Sequence, residues 1–151
     1  MRAAIVLVYL ANLALALSGS SIAASVPATY SNAGLTVTVP SGWHVVHRRL
    51  TPCTNPLERL TLSGHGGLVT LMETLEPRSH IHRFSSRPPR FDLHGEPQWS
   101  ACCAPLNRRG WFLNFRDHGR GFYVYVYLGA PGTRGEILRI LDTVRVRARS
   151  R

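Results

Sequence analysis

Residues 111–128, WFLNFRDHGRGFYVYVYL, contain the strongest strand pattern of the chain. The second half alternates apolar residues with Tyr123, Tyr125 and Tyr127, and successive side chains of a strand point to opposite faces of a sheet. The first half, 111–116, alternates in the same way, and the stretch DHGRG between the halves is rich in residues that tight turns favour. The sequence therefore predicts an antiparallel hairpin with one apolar face and one tyrosine-rich face.

Four earlier segments predict further strands, and two of them, 35–39 and 58–63, show the same alternation. Prolines, glycines and short polar stretches separate them, as in a meander of antiparallel strands. The segments are 35–39, 43–47, 58–63 and 68–75. The stretch before them, 25–34, has no periodicity and predicts a flexible linker.

One helix is expected after the hairpin. Thr133 and Glu136 have the T-x-x-E spacing of a capping box, and 144–147 alternates valine with arginine as a short edge strand would. We therefore expect an α+β domain over residues 35–147, an antiparallel β-sheet with the C-terminal helix packed on one face, followed by a basic tail at 148–151. The apolar stripe of the helix is Ile137, Ile140, Leu141 and Val144.

Residues 76–110 are the least regular segment of the chain. Five prolines interrupt it, and a proline lacks the amide hydrogen that a helix interior or a central strand needs. A short strand at 90–93 is the one regular element that we expect there. Loops of this length in a compact domain are usually functional or disordered, which makes this segment a place to look for a site.

The first residues of the chain have the pattern of a secretory signal peptide. Arg2 precedes the apolar run AAIVLVYLANLALAL, which small residues follow at a plausible cleavage site near residue 24. The run is shorter than the ~20 apolar residues that a membrane-spanning helix needs. We therefore expect residues 1–24 to be removed and the mature protein to be secreted or extracytoplasmic, with no transmembrane segment after cleavage. An uncleaved anchor helix is the alternative.

The chain has three cysteines, and an exported protein meets an oxidising environment. We therefore expect one disulfide, between Cys53 and either Cys102 or Cys103, and one thiol left over. Adjacent residues of an extended segment point to opposite faces, so only one of the two neighbours could reach Cys53. A bond between the neighbours themselves would close a strained ring. The sequence does not decide which neighbour is bonded.

The formal net charge is +10, and all 18 basic residues are arginines. A surface of this charge favours anionic partners such as nucleic acid, acidic polymers or phospholipid headgroups. Because an exported protein does not ordinarily meet nucleic acid, the expected partner is another envelope protein or an anionic polymer. A solvated, arginine-rich surface without a specific partner is the alternative interpretation.

The tyrosine-rich face of the hairpin is the candidate binding surface. Aromatic side chains with arginines near them are typical of binding interfaces. In the alternative interpretation, the proline-rich segment covers this face and buries it. The candidate surface consists of Phe112, Arg116, Arg120, Tyr123, Tyr125 and Tyr127.

No motif for catalysis or cofactor binding is recognisable in the sequence. His80 and His82 have the i,i+2 spacing that would point both imidazoles the same way on a strand, with His94, Glu96 or a free cysteine as a further ligand. No zinc-binding motif accompanies them, and scattered surface histidines explain the same pattern. We therefore expect no metal and no cofactor. A cysteine–histidine enzyme site within 76–110 is the alternative.

Two family resemblances rest on specific segments. The opening LTVTVPSGW and the closing GEILRILDTVRV resemble those of PsbP-like domains, in which such segments flank an antiparallel sheet. The segments LTPCTNPLERLTL, CCAPL and FRDHGRGFYVYVYLG are similar to those of uncharacterised secreted proteins of actinobacteria. The first resemblance implies a PsbP-like sandwich and a non-catalytic binding or assembly role.

These features together predict an exported, non-catalytic binding or accessory module of the cell envelope, with an unidentified ligand. Two alternatives remain open from the sequence. One is an envelope enzyme that uses a cysteine or histidine in the segment 76–110. The other is electrostatic adhesion to anionic envelope polymers, which would weaken as salt increases.

Overall fold

The computed structural model describes residues 26–46, 55–99 and 108–149. Within these ranges, nine strands form two antiparallel sheets, one of three strands and one of six. The expected α+β class is therefore wrong. The protein is mainly β, and its described helices are one of ten residues and one of four.

The smaller sheet explains why the expected fold class was wrong. It contains β1 (Ala28–Asn32), β2 (Leu35–Val39) and β9 (Arg145–Val146), in the order β1-β2-β9. Strand β1 has the polar sequence ATYSN and lies within the segment that we expected to be a flexible linker. It pairs with β2 along its whole length. Main-chain hydrogen bonds to β2 stabilise this strand. Its side chains show no apolar alternation, so the sequence pattern did not reveal it.

The larger sheet has the order β3-β4-β5-β8-β7-β6, in which every neighbouring pair is antiparallel. The predicted hairpin is confirmed as β7 and β8, which pair from Trp111↔Val126 to Asp117↔Arg120. The central strand β5 lies between β4 and β8 and is buried along its length. The strands are β3 (Trp43–Val45), β4 (Leu57–Gly64), β5 (Gly67–Glu73), β6 (Gln98–Trp99), β7 (Arg109–Asp117) and β8 (Arg120–Tyr127).

Two helices connect the strands. The first, α1 (Arg78–Ile81), is a single turn, and the second, α2 (Thr133–Asp142), is the predicted C-terminal helix, with Thr133 as its first residue and not as its cap. The predicted capping box is wrong, because the residue before α2 is Gly132 with a φ of 92° and no side chain caps the helix. Thr133 Oγ1 instead donates to the Ala130 carbonyl at 2.8 Å.

One core cluster contains side chains from both sheets and from α2. The sequence predicted a helix covering one face of a single sheet, whereas the protein buries the residues of two sheets and a helix together. Phe91 and Leu93 join this core from a segment without strand structure, where a short strand was expected. The fully buried members of the core include Leu35, Val37, Leu62, Leu71, Phe115, Phe122, Val124, Ile137 and Leu141.

Two sequence predictions, the disulfide and the signal peptide, fall on residues that the structure does not describe. The described residues include no cysteine, because Cys53, Cys102 and Cys103 lie outside them, and no disulfide is found within the described part of the chain. The expected signal peptide, 1–24, also lies outside the described residues. Among the helices that are described, none is long and apolar enough to cross a membrane.

Thr143 joins the end of α2 to β2. Its hydroxyl oxygen accepts a hydrogen bond from the Thr38 amide at 2.9 Å. We expect Thr143→Val to lower the free energy of unfolding by about 1–3 kcal/mol, because the amide loses its partner while staying partly buried. Urea denaturation followed by circular dichroism measures the change. Thr29→Val is the control, since the Thr29 hydroxyl makes an exposed contact with Thr38, and equal losses in both variants would contradict the prediction.

Candidate functional site

The tyrosine-rich face of β8 is not an open platform. Tyr125 is fully buried, and its hydroxyl donates to the Arg108 carbonyl at 3.0 Å. Tyr123 and Tyr127 are half-buried. The ring of Tyr123 meets Phe84 edge to face with centroids 5.0 Å apart, and the Arg108 guanidinium lies 5.0 Å from the Tyr127 ring centre. The neighbouring groups thus leave only part of this face accessible.

A glycine on the adjacent strand makes room for Tyr125. A Cβ on Gly110 would lie 2.5 Å from the Tyr125 ring, so a side chain there would displace the ring. Leu68 and Met72 of β5 complete a second buried cluster with Tyr125. This burial raises the pKa of the Tyr125 hydroxyl above its usual value. Phe112, 41% exposed, is the most accessible aromatic residue of the predicted surface.

Arg120 is a buried partner of Glu73 and does not flank an exposed surface. Its Nε and Nη2 donate to the two oxygens of the Glu73 carboxylate, each at 2.8 Å. The same carboxylate accepts hydrogen bonds from Arg59 and Arg149, each at 2.7 Å. Arg120 also donates to the carbonyl of Ala33, in the turn before β2. One carboxylate therefore joins β4, β5, β8 and the chain after β9.

Glu73 stays ionised in this cluster. Its side chain is fully buried, which by itself would raise its pKa. The hydrogen bonds from Arg120, Arg149 and Arg59 together outweigh the burial and lower the pKa from 4.5 to about 2. The arrangement resembles a structural ion-pair network, since both carboxylate oxygens are occupied by arginine donors and the side chain has no contact with solvent.

Arg116, which was also expected on the candidate surface, instead lines a cavity. The backbone of residues 85–87 runs beside the end of β7: the Arg87 amide donates to the Arg116 carbonyl at 2.9 Å, and the Arg116 amide donates to the Ser85 carbonyl at 2.8 Å. Through this main-chain pairing, Arg87 and Arg116 line the same cavity. The cavity has a volume of about 700 Å³ and is called here the arginine pocket. Its polar lining residues are His82, Ser86, Arg87, Arg116, Asp117 and His118.

The arginine pocket has more positive than negative charge. Within the part of the chain that the structure describes, neither Arg87 nor Arg116 forms a salt bridge, whereas four other arginines do. Asp117 lines the pocket, but its carboxylate lies 2.6 Å from the His118 ring nitrogen. Two guanidinium groups thus share the cavity with one carboxylate that already has a partner.

The two guanidinium groups are also incompletely hydrogen-bonded. The Nε atoms of Arg87 and Arg116 are buried, and no described group is their hydrogen-bond partner. Arg87 Nη2 donates to the Asp142 carbonyl at 3.0 Å, and Arg116 Nη1 lies 3.4 Å from the His82 ring nitrogen. Because the two Nε atoms have almost no accessible surface, a ligand in the cavity would meet the Nη atoms of the guanidinium groups, and charge-assisted hydrogen bonds from these favour an anionic ligand.

The histidines considered as metal ligands are not brought together. His80 lies in α1, with a ring nitrogen 3.5 Å from Glu76, while His82 approaches Arg116. His94 lies near Asp92 at 3.6 Å. Among the described residues no group of three or more potential metal ligands is found. The cysteines of the alternative enzyme site lie outside the described residues, so that alternative stays untested.

Sequence reasoning missed Arg87 as a site residue. The only local signal was its position before Pro88 and Pro89, which favours an extended backbone. That backbone pairs with β7 through the bridge between Ser86 and Arg116. The pairing joins segments thirty residues apart, and no spacing rule reveals it from the sequence.

Comparison of the chain with models of known protein families gives no match, and no curated protein matches it significantly. The resemblances to PsbP-like domains and to secreted actinobacterial proteins therefore stay predictions. The candidate site rests on the geometry of the arginine pocket alone.

Proposed function

We propose that the protein is an exported, non-catalytic binding module of the cell envelope, and that it binds an anionic envelope component in the arginine pocket. The observation that carries this proposal is that Arg87 and Arg116 line the same cavity and that, among the described residues, neither forms a salt bridge. A volume of about 700 Å³ falls in the range of small-molecule sites. Guanidinium groups bind phosphate and carboxylate with paired hydrogen bonds.

The distribution of carboxylates supports the same function. The chain has 8 acidic residues against 18 arginines, and Glu73 alone neutralises part of the charge of three of them. Asp142 is used within the fold, where it accepts a hydrogen bond from the Phe91 amide at 2.8 Å. The acidic residues are therefore too few to balance the charge of the arginines, and some of them already bind groups within the fold. The remaining positive surface favours an anionic partner.

The proposed location rests on the sequence. The pattern of residues 1–24 is that of a secretory signal peptide, and an exported arginine-rich domain meets the anionic polymers of the envelope. N-terminal sequencing of the protein from the culture medium or envelope fraction tests this part. A mature chain that begins near residue 25 is expected, and a chain that retains Met1 in the cytoplasm would contradict it.

Binding of long-chain sodium polyphosphate tests the proposed site. We expect the double variant Arg87→Gln, Arg116→Gln to bind about 100-fold more weakly, because each charge-assisted hydrogen bond contributes about 1.5–3 kcal/mol and 1.4 kcal/mol corresponds to tenfold. Fluorescence anisotropy with end-labelled polyphosphate measures the affinity. Binding should weaken with added salt, and less steeply in the variant.

The matched control removes two positive charges elsewhere. Arg90 and Arg139 are exposed and line none of the described cavities. Arg90→Gln, Arg139→Gln should therefore lower the affinity only a few-fold through the general charge. Equal losses in both double variants would show that binding is diffuse, and would reject the arginine pocket as the site.

A further inference from the structure

A second, smaller cavity lies on the other side of the turn between β7 and β8. It has a volume of about 180 Å³ and is called here the C-terminal cavity. Its lining includes Arg120 and Arg149 together with Glu73 and Glu76. Ile81, His118 and Gly119 line both this cavity and the arginine pocket, so the two cavities share one wall.

The arginines and carboxylates that line the C-terminal cavity balance, because Arg120 and Arg149 are matched by Glu73 and Glu76. Arg59 lies outside the lining but also donates to the Glu73 carboxylate, so this group of five residues has one more guanidinium than carboxylates. Glu76 lies 3.5 Å from His80. Arg149 is the accessible member, with 57% of its side chain exposed. Its guanidinium has donors beyond the single bond described to Glu73.

We infer that the two cavities are successive subsites for one linear polyanion, whose chain crosses the turn at His118 and Gly119. This inference rests on the proposed function, because the arginine pocket is the first subsite. A ligand with one anionic group would use the arginine pocket alone. A chain with repeated phosphate groups would add the contact with Arg149, and a second contact on the same chain raises the affinity without a second association step.

Affinities for diphosphate and for long-chain polyphosphate, measured with each variant, test the inference. We expect Arg149→Gln to lower the affinity for the long chain by about tenfold, the usual effect of losing one charge-assisted contact, and to leave the affinity for diphosphate unchanged. Arg147→Gln is the matched control, because Arg147 is exposed, carries the same charge and lines neither cavity. The double variant of Arg87 and Arg116 should lose affinity for both ligands.

A measurement on the unaltered protein complements the variants. Phenylglyoxal modifies accessible arginines, and peptide mass spectrometry locates the modified residues. Long-chain polyphosphate should protect Arg149 but not Arg147, and diphosphate should protect neither. Protection of Arg149 by diphosphate would overturn the inference, because it would make the second cavity independent of chain length.

The outcomes separate the inference from the proposed function. If polyphosphate binds and depends on Arg87 and Arg116, but Arg149→Gln behaves like Arg147→Gln, the second subsite is rejected and the proposed function stands. If neither phosphate binds, both are rejected. Tighter binding to phosphatidylglycerol vesicles than to polyphosphate, with no effect of Arg149→Gln, would replace the linear polyanion by a membrane surface.

Discussion

Glu73→Gln is expected to lower the free energy of unfolding by about 3–5 kcal/mol, the usual cost of removing one partner from a buried ion pair. The substitution leaves Arg120, only 4% exposed, without its bidentate partner. It also leaves Arg59 and Arg149 beside Arg120 with no carboxylate to separate their charges. Urea denaturation at neutral pH, followed by circular dichroism, measures the loss.

The pH dependence of stability tests the same cluster without a change of sequence. The pKa of Glu73 is lowered from 4.5 to about 2, so its ionised form contributes stability in full above pH 4.5. This contribution falls as the pH decreases through the interval from 4.5 to 2, because the unfolded chain takes up the proton first. The interval corresponds to about 3 kcal/mol, since one pKa unit is about 1.36 kcal/mol.

The Glu73→Gln variant should lack this part of the acid dependence, because it has no carboxyl group at that position. Glu76→Gln is the matched control, since Glu76 is partly exposed and contacts only His80 among the described charged groups. Its effect should be below about 1 kcal/mol, as for most surface ion pairs. If Glu73→Gln and Glu76→Gln had equal effects, the three-arginine cluster would not stabilise the fold.

The parts of the fold that follow from local pattern were predictable. The hairpin of β7 and β8 has period-two alternation on both strands and turn residues between them, and the structure pairs them as expected. The apolar stripe of α2 likewise predicted its buried face. Both predictions depend on neighbouring residues alone, which is the information that a single sequence contains.

The parts that depend on distant residues were not predictable. Strand β1 has no apolar alternation and exists because β2 supplies its hydrogen bonds. Arg120 was assigned to the candidate binding surface because it lies close in sequence to the tyrosines of the hairpin. Its carboxylate partner, Glu73, lies 47 residues earlier in the chain. The arginine pocket depends in the same way on the bridge between Ser86 and Arg116.

The predicted capping box shows how one side chain can satisfy a local motif and still act elsewhere. Glu136 has the correct spacing from Thr133, but its carboxylate accepts hydrogen bonds from the Trp43 indole at 3.0 Å and from His65 at 2.7 Å. These two contacts, the Trp43 bond first, hold the pKa of Glu136 below its usual value. Glu136 thereby joins α2 to β3 and to the turn between β4 and β5. A capping box, which is a motif within one helix, does not predict these contacts.

Trp43→Ala is expected to lower the free energy of unfolding by about 3–5 kcal/mol, as for other truncations of large buried aromatic side chains. Trp43 is 4% exposed and lies in the core cluster. Its ring covers Gly64 and Gly67: a Cβ added to these glycines would lie 2.6 and 3.0 Å from ring atoms. Two glycines thus make the space that the indole fills, and truncation of the indole would leave a cavity there.

Trp43→Phe separates the packing of the ring from its hydrogen bond. The phenyl ring keeps part of the apolar contact but cannot donate to Glu136, so we expect an intermediate loss of stability together with a higher pKa of Glu136. NMR titration of the Glu136 carboxyl group measures the second effect. Trp99→Ala is the control, because Trp99 is 63% exposed and its truncation should change stability by no more than about 0.5 kcal/mol. An unchanged Glu136 pKa in Trp43→Phe would mean that the indole hydrogen bond does not couple β3 to α2, and that packing over the two glycines alone accounts for the effect of Trp43.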